Sequence, residues 1–273
     1  MRNTNQSFSR ILVDLDQRGL ATVTINRPEA RNAWDMETVA ELTQAFDTLR
    51  TSQTLRVVVL TGAGEVFSAG GDLKWMRGML GRSADEREAE ARAIMRLLQT
   101  LDAFPQPVIA RVNGAAFGGG VGLVCVSDMA IASDRARFGI TETRLGIVPG
   151  TISPFIVRRI GAAAARGQFL TGSVLDPATA LRIGLVQQVV EPEALDQTVE
   201  RAVEAILKCA PGAVARTKRL FREIGEAAPQ EAEATGIAAI VEAWTQPEAH
   251  DGISAFLEKR EPGWRLGGGR TSD

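Results

Sequence analysis

Six runs of β-branched and aliphatic residues alternate with helical segments through roughly the first 190 residues of this 273-residue chain. The runs are ILVDLD, LATVTI, RVVVLTG, PVIARVNG, MAIAS and LVQQVV. From about Glu193 the strand signals stop, and the remainder is predicted to be helical, with breaks near Pro211, Pro229 and Pro247. The pattern predicts an α/β core over residues 1–192 and a helical C-terminal part over 193–273.

Two of the predicted helices carry clear sequence signals. Between Asp35 and Arg50, apolar side chains recur at helical spacing and form one stripe. The stripe comprises Val39, Leu42, Phe46 and Leu49. Ser83 and Glu86 are spaced as a capping box, which predicts a long helix running towards Leu101.

Composition and charge exclude several classes of partner. The formal net charge is −2, so the chain has no electrostatic footprint for nucleic acid or for an anionic membrane. No stretch reaches the roughly 18 apolar residues of a membrane span, and the polar first ten residues lack a signal-peptide core. We expect a cytoplasmic protein without nucleic-acid or membrane partners.

Few side chains suited to nucleophilic or metal chemistry are present. His250 is the only histidine, there is no tyrosine, and the only cysteines are Cys125 and Cys209. A histidine-activated nucleophile would depend on His250, which lies at a predicted helix start where a structural role is expected. One histidine and two distant cysteines do not make a zinc site, so no metal is expected. Catalysis is therefore expected from carboxylates and backbone groups.

Two glycine-bearing turns follow the same plan of a strand, a turn and a helix start. The first is VVVLTGAGEVFSAGGDLKWM, in which residues 69–72 open a short helix. The second is PVIARVNGAAFGGGVGLVCV, in which a glycine cluster opens an apolar helix. Helix starts present N–H groups without intrahelical partners, and these favour an anion or a developing negative charge. Close packing of helix on strand alone would also explain either loop.

Taken together, these motifs resemble the enoyl-CoA hydratase/isomerase, or crotonase, superfamily. The resemblance continues through INRPEARNAW, ARFGITETRLGIVPG, FLTGSVLDPATALRIGLVQQVV and GISAFLEKREPGW, and so covers almost the whole chain in order. The segment from VGLVCVSDMAIAS to ITETRLGIVPGTISPFIV looks closest to bacterial methylglutaconyl-CoA and carboxygeranoyl-CoA hydratase types.

The resemblance implies a fold, an assembly and a substrate. The fold would be a crotonase-type spiral of ββα units, with C-terminal helices that build a homotrimer, often paired into a hexamer. The substrate would be an acyl-CoA, with coenzyme A as the thioester carrier and no permanently bound cofactor. The backbone N–H groups of Gly71 and Gly119 match the family's oxyanion-hole donors, which stabilise the charge of a thioester enolate.

The acid–base residues match the family only in part. Glu142 matches the second of two catalytic glutamates, and a carboxyl group in an apolar cleft has a raised pKa that suits proton transfer. A surface ion pair with Arg144 or Arg158 is the structural alternative. The first glutamate should follow Gly119 by three residues, where this chain has Gly122.

Three interpretations of Gly122 remain open. Glu142 alone would suit a double-bond isomerase. Hydration could persist, with water held by Glu142 and another group. The missing side chain could also leave room for a branched or carboxylated acyl chain. We predict a hydratase-type lyase, with the isomerase and a non-catalytic acyl-CoA-binding protein as alternatives.

The resemblance also implies residues along the coenzyme A and acyl path. In chain order they are Arg27, Ala30, Arg31, Ser68, Ala69, Asp72, Leu73, Lys74, Phe117, Gly118, Thr141, Pro149, Gly150, Phe256 and Lys259. Lys74 is suited to a phosphate, and Phe256 and Lys259 match positions that cover the adenine end, sometimes from a neighbouring subunit.

Overall fold

The computed structural model describes residues 8–265. The strands are β1 Ile11–Leu15, β2 Leu20–Ile25, β3 Val57–Gly62, β4 Val108–Val112, β5 Ala116–Phe117, β6 Met129–Ser133, β7 Phe138–Gly139, β8 Val174–Leu175 and β9 Gln188–Val190. The helices are α1 Met36–Arg50, α2 Leu73–Met79, α3 Ala84–Asp102, α4 Gly119–Val126, α5 Ser153–Phe169, α6 Pro177–Arg182, α7 Pro192–Leu207, α8 Pro211–Glu226, α9 Pro229–Trp244 and α10 Pro247–Glu258. All six predicted strand runs are confirmed, and the α/β fold is as expected.

A six-stranded mixed sheet forms the centre, in the order β1-β2-β3-β4-β6-β9. Only β1 runs antiparallel to its neighbour, and the remaining pairs are parallel. β3 is buried along its whole length, as its continuous apolar run predicts for a parallel strand covered on both faces. A second, three-stranded sheet joins β5, β7 and β8.

The two faces of the main sheet have different helical cover. On one face, Val58 and Leu60 belong to the same buried cluster as the predicted stripe of α1. Asp35 begins α1 by accepting from the Thr38 N–H, and the predicted capping box of Ser83 and Glu86 begins α3. The apolar stripe and the capping box therefore correctly predict α1 and α3, respectively.

The other face is covered by α7. Val57 and Val59 pack there in a cluster with Leu195 and Val199 of α7. The predicted division at residue 192 assigns this helix to the C-terminal part, whereas its apolar face packs on the sheet. The three prolines at the predicted helix breaks are the first residues of the helices that follow, α8, α9 and α10.

The C-terminal helices expose apolar side chains. No residue of α9 is buried, and four of its large apolar side chains are more than half exposed: Ile237, Ile240, Val241 and Trp244. Between residues 8 and 265, no helix is both long enough and apolar enough to cross a bilayer.

Candidate active site

The first glycine loop, residues 68–72, lies between two other segments of the chain. On one side Ser68 forms a parallel bridge with Ala116, and on the other Gly71 forms a parallel bridge with Trp34. The Ser68 N–H donates to the Ala115 carbonyl at 3.0 Å. The loop therefore joins the second glycine loop to the segment that precedes α1.

Two glycines allow the loops to approach each other. Gly70 has a φ of +87°, and a β-carbon there would lie 2.9 Å from the Phe117 carbonyl oxygen. Gly118 has a φ of +49°, and a β-carbon there would lie 3.1 Å from Oε1 of Glu142. Both the left-handed backbone and the close contacts exclude a side chain. These contacts bring Gly70, Gly118 and Glu142 together, although they are far apart in the sequence.

Each loop presents an N–H group without a partner. The Trp34 N–H donates to the Gly70 carbonyl at 2.7 Å, and the Asp72 N–H donates to the Trp34 carbonyl at 2.8 Å. Because Trp34 bonds to the groups on both sides of Gly71, the Gly71 N–H is directed away from Trp34. Gly119 is the first residue of α4, where the N–H has no intrahelical acceptor. Neither N–H donates a hydrogen bond anywhere within residues 8–265.

Glu142 supplies a half-buried carboxyl group beside the second loop. It begins a 3₁₀ turn, Glu142–Leu145, and its Oε2 is buried without a hydrogen-bond partner in the described chain. Burial raises the pKa of Glu142, and the backbone N–H groups of Glu142 and Thr141 oppose that shift. Arg158, one of the alternative ion-pair partners, binds Asp102. Oε2 of Glu142 therefore bonds to neither arginine within the described residues, and its role in proton transfer stays a prediction.

The space beside Gly122 is filled by protein. A β-carbon at Gly122 would lie 2.6 Å from Cγ2 of Ile152 and 3.5 Å from Cδ2 of Leu98. Ile152 is 2% exposed and belongs to the main buried cluster. The prediction that Gly122 leaves room for a branched acyl chain is therefore wrong, because Ile152 occupies the volume. A glutamate introduced at position 122 would meet the same side chain.

The Arg27 side chain is buried and bonds to other residues of the protein. Its guanidinium group donates to the Ala33 carbonyl at 2.6 Å and to Asp72 at 3.0 Å, and it lies 3.3 Å from Asp35. Asp72 also caps α2 by accepting from the Lys74 and Trp75 N–H groups. The Arg27 and Asp72 side chains thus hold the Gly71 loop, and their predicted contacts with coenzyme A stay predictions.

The other residues predicted along the coenzyme A path differ in accessibility. Ser68 is buried, and its hydroxyl donates to the Asn32 carbonyl at 2.9 Å, so its side chain is also structural. Arg31, Leu73, Lys74 and Gly150 are exposed, and Ala30, Ala69, Phe117, Thr141 and Pro149 are half-buried. These positions stay predictions.

Phe256 and Lys259 lie at the C-terminal end of the described chain. Phe256 is 83% exposed, and Lys259 ends α10 with a left-handed backbone. Their helix packs on α9 and, through Glu248, on the start of α8. Their predicted role at the adenine end stays a prediction.

Sequence reasoning did not identify several side chains beside the glycine loops. A β-carbon on Gly71 would lie 3.1 Å from the Trp75 ring and 3.2 Å from the Met76 sulfur. A β-carbon on Gly119 would lie 2.9 Å from the Trp34 ring. The only sequence signal for Trp75 and Met76 is their place on the short helix that follows the first loop.

This arrangement can stabilise a negative oxygen and move a proton. Two unpaired backbone donors on adjoining loops suit an oxyanion, because preorganised dipoles need no reorganisation as charge develops. A carboxyl group with a raised pKa suits proton transfer to or from carbon near neutral pH.

Comparison with known proteins identifies the family. The model of the enoyl-CoA hydratase/isomerase family matches residues 16–266. This chain belongs to the enoyl-CoA hydratase/isomerase family. A short-chain-enoyl-CoA hydratase of Clostridium acetobutylicum is 36% identical over 257 residues, covering 91% of this chain and 95% of the relative. An (E)-benzylidenesuccinyl-CoA hydratase of Thauera aromatica is 36% identical over 256 residues, covering 90% and 95%.

Solved structures show the same fold. An enoyl-CoA hydratase from Shewanella pealeana superposes with a TM-score of 0.91 at 32% identity, covering 95% of this chain and 97% of that one. The family and these relatives together show an enzyme with enoyl-CoA hydratase-type activity at the level of the family.

Proposed function

We propose that this member of the enoyl-CoA hydratase/isomerase family adds water across the 2,3 double bond of an acyl-CoA. One observation supports this most directly: two unpaired N–H groups, on Gly71 and Gly119, belong to adjoining loops beside the half-buried carboxyl group of Glu142. Coenzyme A serves as the thioester carrier, and no permanently bound cofactor is part of the proposal.

The proposed reaction needs only these groups. The thioester oxygen accepts hydrogen bonds from Gly71 and Gly119. Glu142 takes a proton from water as the water oxygen bonds to C3, and the π electrons move onto the thioester oxygen as an enolate. Glu142 then returns the proton to C2, which restores the thioester and the carboxylate. Burial of Glu142 favours its protonated form, which is the form that follows attack by water.

Double-bond isomerisation is the second candidate, and the surroundings of Gly122 favour it. Position 122 is a glycine and contributes no second carboxylate, and the space where its side chain would lie is filled by Ile152. One carboxylate suffices to remove a proton from C2 of a 3-enoyl thioester and return it to C4 of the dienolate. The same two donors would stabilise that dienolate.

The acyl group is the less constrained part of the proposal. Names of relatives range from short-chain-enoyl-CoA to (E)-benzylidenesuccinyl-CoA hydratase. A branched or carboxylated acyl chain, as in the methylglutaconyl-CoA and carboxygeranoyl-CoA hydratase types, stays a proposal. The space at Gly122 is filled, so we propose the Trp75 and Met76 side chains beside Gly71 as contacts for such a chain.

We further propose a homotrimer, paired into a hexamer, in a cytoplasmic location. The exposed apolar face of α9 supports assembly, since a contiguous apolar surface of this kind is typical of protein interfaces. In such an assembly, Phe256 and Lys259 would reach the adenine end of the coenzyme in a neighbouring subunit. Arg31 and Lys74 would meet its phosphates.

Turnover in heavy-oxygen water tests the function. Crotonyl-CoA, methylglutaconyl-CoA and a 3-enoyl-CoA would be incubated with the protein and analysed by mass spectrometry. Incorporation of the heavy oxygen indicates hydration, and double-bond migration without label indicates isomerisation. Binding without turnover of any of the three would contradict both reactions. The Glu142→Gln variant controls for uncatalysed addition.

A further inference from the structure

Trp34 contacts both glycine loops. Its backbone brackets Gly71, because its N–H donates to the Gly70 carbonyl and its carbonyl accepts from the Asp72 N–H. Its ring supports the other loop: Cε3 and Cζ3 each lie 2.9 Å, and Cη2 3.1 Å, from the point that a β-carbon on Gly119 would occupy. A single residue therefore contacts the Gly71 loop through its backbone and Gly119 through its ring.

We infer that Trp34 is a positioning residue that sets the separation of the Gly71 and Gly119 N–H groups. The inference rests on the proposed function, in which these two groups bind one oxygen. Such donors are effective only when held within about 0.5 Å of their productive geometry. The backbone of Trp34 fixes Gly71 through hydrogen bonds, and its ring fixes Gly119 through packing. Packed interiors resist changes in volume, so the two residues keep their separation.

The surroundings of Trp34 hold it in place. Trp34 is 4% exposed, so the residue is enclosed on nearly all sides. The preceding residue, Ala33, accepts a hydrogen bond from Arg27, and the following residue, Asp35, lies 3.3 Å from the same guanidinium group. Arg27 also binds Asp72, next to Gly71. The segment that carries Trp34 is thus fixed to the first loop by side chains as well as by backbone.

The polar atom of the ring supports a steric role. Nε1 of Trp34 is buried and has no hydrogen-bond partner within residues 8–265. A buried N–H without a partner is unfavourable, and an apolar ring would avoid that cost. The large flat ring, rather than its hydrogen-bonding capacity, is therefore what this position uses.

Substitutions of Trp34 test the inference when compared with a matched core variant. Trp34→Leu removes the ring, Trp34→Phe keeps a smaller ring, and Phe46→Leu truncates a buried aromatic residue that packs against Phe104 with ring centroids 5.1 Å apart. The probe is cinnamoyl-CoA, whose conjugated thioester absorbs at longer wavelength when donors polarise its carbonyl. Folding of each variant is followed by circular dichroism.

We expect Trp34→Leu to reduce the absorbance shift of bound cinnamoyl-CoA. Turnover should fall by about tenfold or more, towards the roughly 10²–10³-fold loss of one donor. The dissociation constant of coenzyme A itself should change by less than about twofold, because coenzyme A alone lacks the thioester carbonyl that the two N–H groups would bind. Trp34→Phe should lie between Trp34→Leu and the parent, and Phe46→Leu should keep the full shift and turnover.

The outcomes separate this inference from the proposed function. If the parent protein binds cinnamoyl-CoA without any shift, the oxyanion site itself is contradicted. If the parent shows the shift and Trp34→Leu and Trp34→Phe show it undiminished, the role of Trp34 is contradicted while the function stands. If Trp34→Leu does not fold, Trp34→Phe is compared with the parent instead. An unchanged absorbance shift of cinnamoyl-CoA in Trp34→Phe then overturns the inference.

Discussion

The Cγ2 methyl of Ile152 lies 2.6 Å from the point that a β-carbon on Gly122 would occupy. The methyl belongs to a β-branched side chain whose χ1 is stiff, and Ile152 is 2% exposed, so it has little room to move. Position 122 is therefore a glycine because of packing between α4 and the start of α5. The absence of a carboxylate there follows from the same contact.

Gly122→Ala should destabilise the protein. Helix propensity alone favours alanine over glycine by about 0.8–1 kcal/mol, whereas overpacking a buried site costs about 1–3 kcal/mol. We expect the packing cost to exceed the propensity gain in the free energy of unfolding measured with urea. Gly167→Ala in α5 is the matched control, because a β-carbon there meets nothing within 4 Å, and it should stabilise.

A double-mutant cycle identifies the clashing partner. Ile152→Ala removes Cγ2, so Gly122→Ala should cost less in that background, with a coupling of about 0.5–3 kcal/mol between the two changes. Additive effects of the two substitutions would contradict the contact.

Glu142→Gln should abolish most of the turnover. It retains the shape of the side chain and removes the group that titrates, so we expect a loss of about 10²–10⁴-fold in kcat. Binding of coenzyme A should persist, because no coenzyme contact is assigned to Glu142. Glu200→Gln, at an exposed ion pair with Arg18, is the control and should leave turnover unchanged. Turnover of Glu142→Gln at the parent rate would require another acid–base group.

The predicted elements that the structure confirms are those with strong local signals. The apolar stripe from Val39 to Leu49 and the capping box of Ser83 each indicate a helix through residues that are close together in the sequence. The strands β5, β7 and β8 have two residues each, which is too short for any periodicity. They exist because of their tertiary pairing, so the sequence pattern did not predict them.

The candidate site also combines residues that motifs predict with residues that only tertiary contacts bring together. The motifs predict Gly71, Gly119 and Glu142, and the space around Gly70 and Gly118 agrees with glycine at those two positions. The partners of these residues could not be predicted. Ile152 faces Gly122, and Trp34 lies against Gly119, through contacts between residues 30 or more positions apart. Arg27 is expected at the coenzyme path, and the sequence does not predict its ion pairs with Asp72 and Asp35.

The stability effect of Glu142 should depend on pH. Burial raises the pKa of Glu142 above its ordinary 4.5, so the folded state binds its proton more tightly than the unfolded state. The parent should therefore lose stability relative to Glu142→Gln as the pH rises from 4.5 through the raised pKa, and the difference should be independent of pH below 4.5. Urea unfolding of both proteins between about pH 4 and 8 measures this difference.

A carboxyl group with the opposite shift serves as its control. The Ser83 N–H and Arg82 lower the pKa of Glu86 to about 2. Glu86→Gln should therefore be less stable than the parent above pH 4.5, and this difference should shrink as the pH falls towards 2. A stability difference for Glu142→Gln that stays constant above pH 4.5 would contradict the shift of Glu142. A difference for Glu86→Gln that does not shrink in urea unfolding below pH 4.5 would contradict the shift of Glu86.

Asp72→Ala should weaken both the fold and the first glycine loop. Asp72 caps α2 and binds Arg27 at 3.0 Å, with both side chains largely buried. Loss of a cap costs about 0.5–2 kcal/mol, and breaking a buried ion pair costs about 3–5 kcal/mol. Because Arg27 retains Asp35, we expect a loss above the cap value and below the sum of the two. Asp176→Ala, which removes a cap from α6 at an exposed site, should show the cap value alone.

The kinetics of Asp72→Ala distinguish loop support from direct binding of the coenzyme. If Asp72 holds the Gly71 N–H in place, kcat should fall, by up to about 10²-fold for a displacement near 1 Å. KM should change little, since in that case the Asp72 carboxylate makes no contact with coenzyme A. A raised KM with an unchanged kcat would instead indicate that the Asp72 carboxylate binds coenzyme A, and would contradict its assignment to the Arg27 network. Asp176→Ala should leave both constants at their parent values, because α6 contributes no residue to the proposed site.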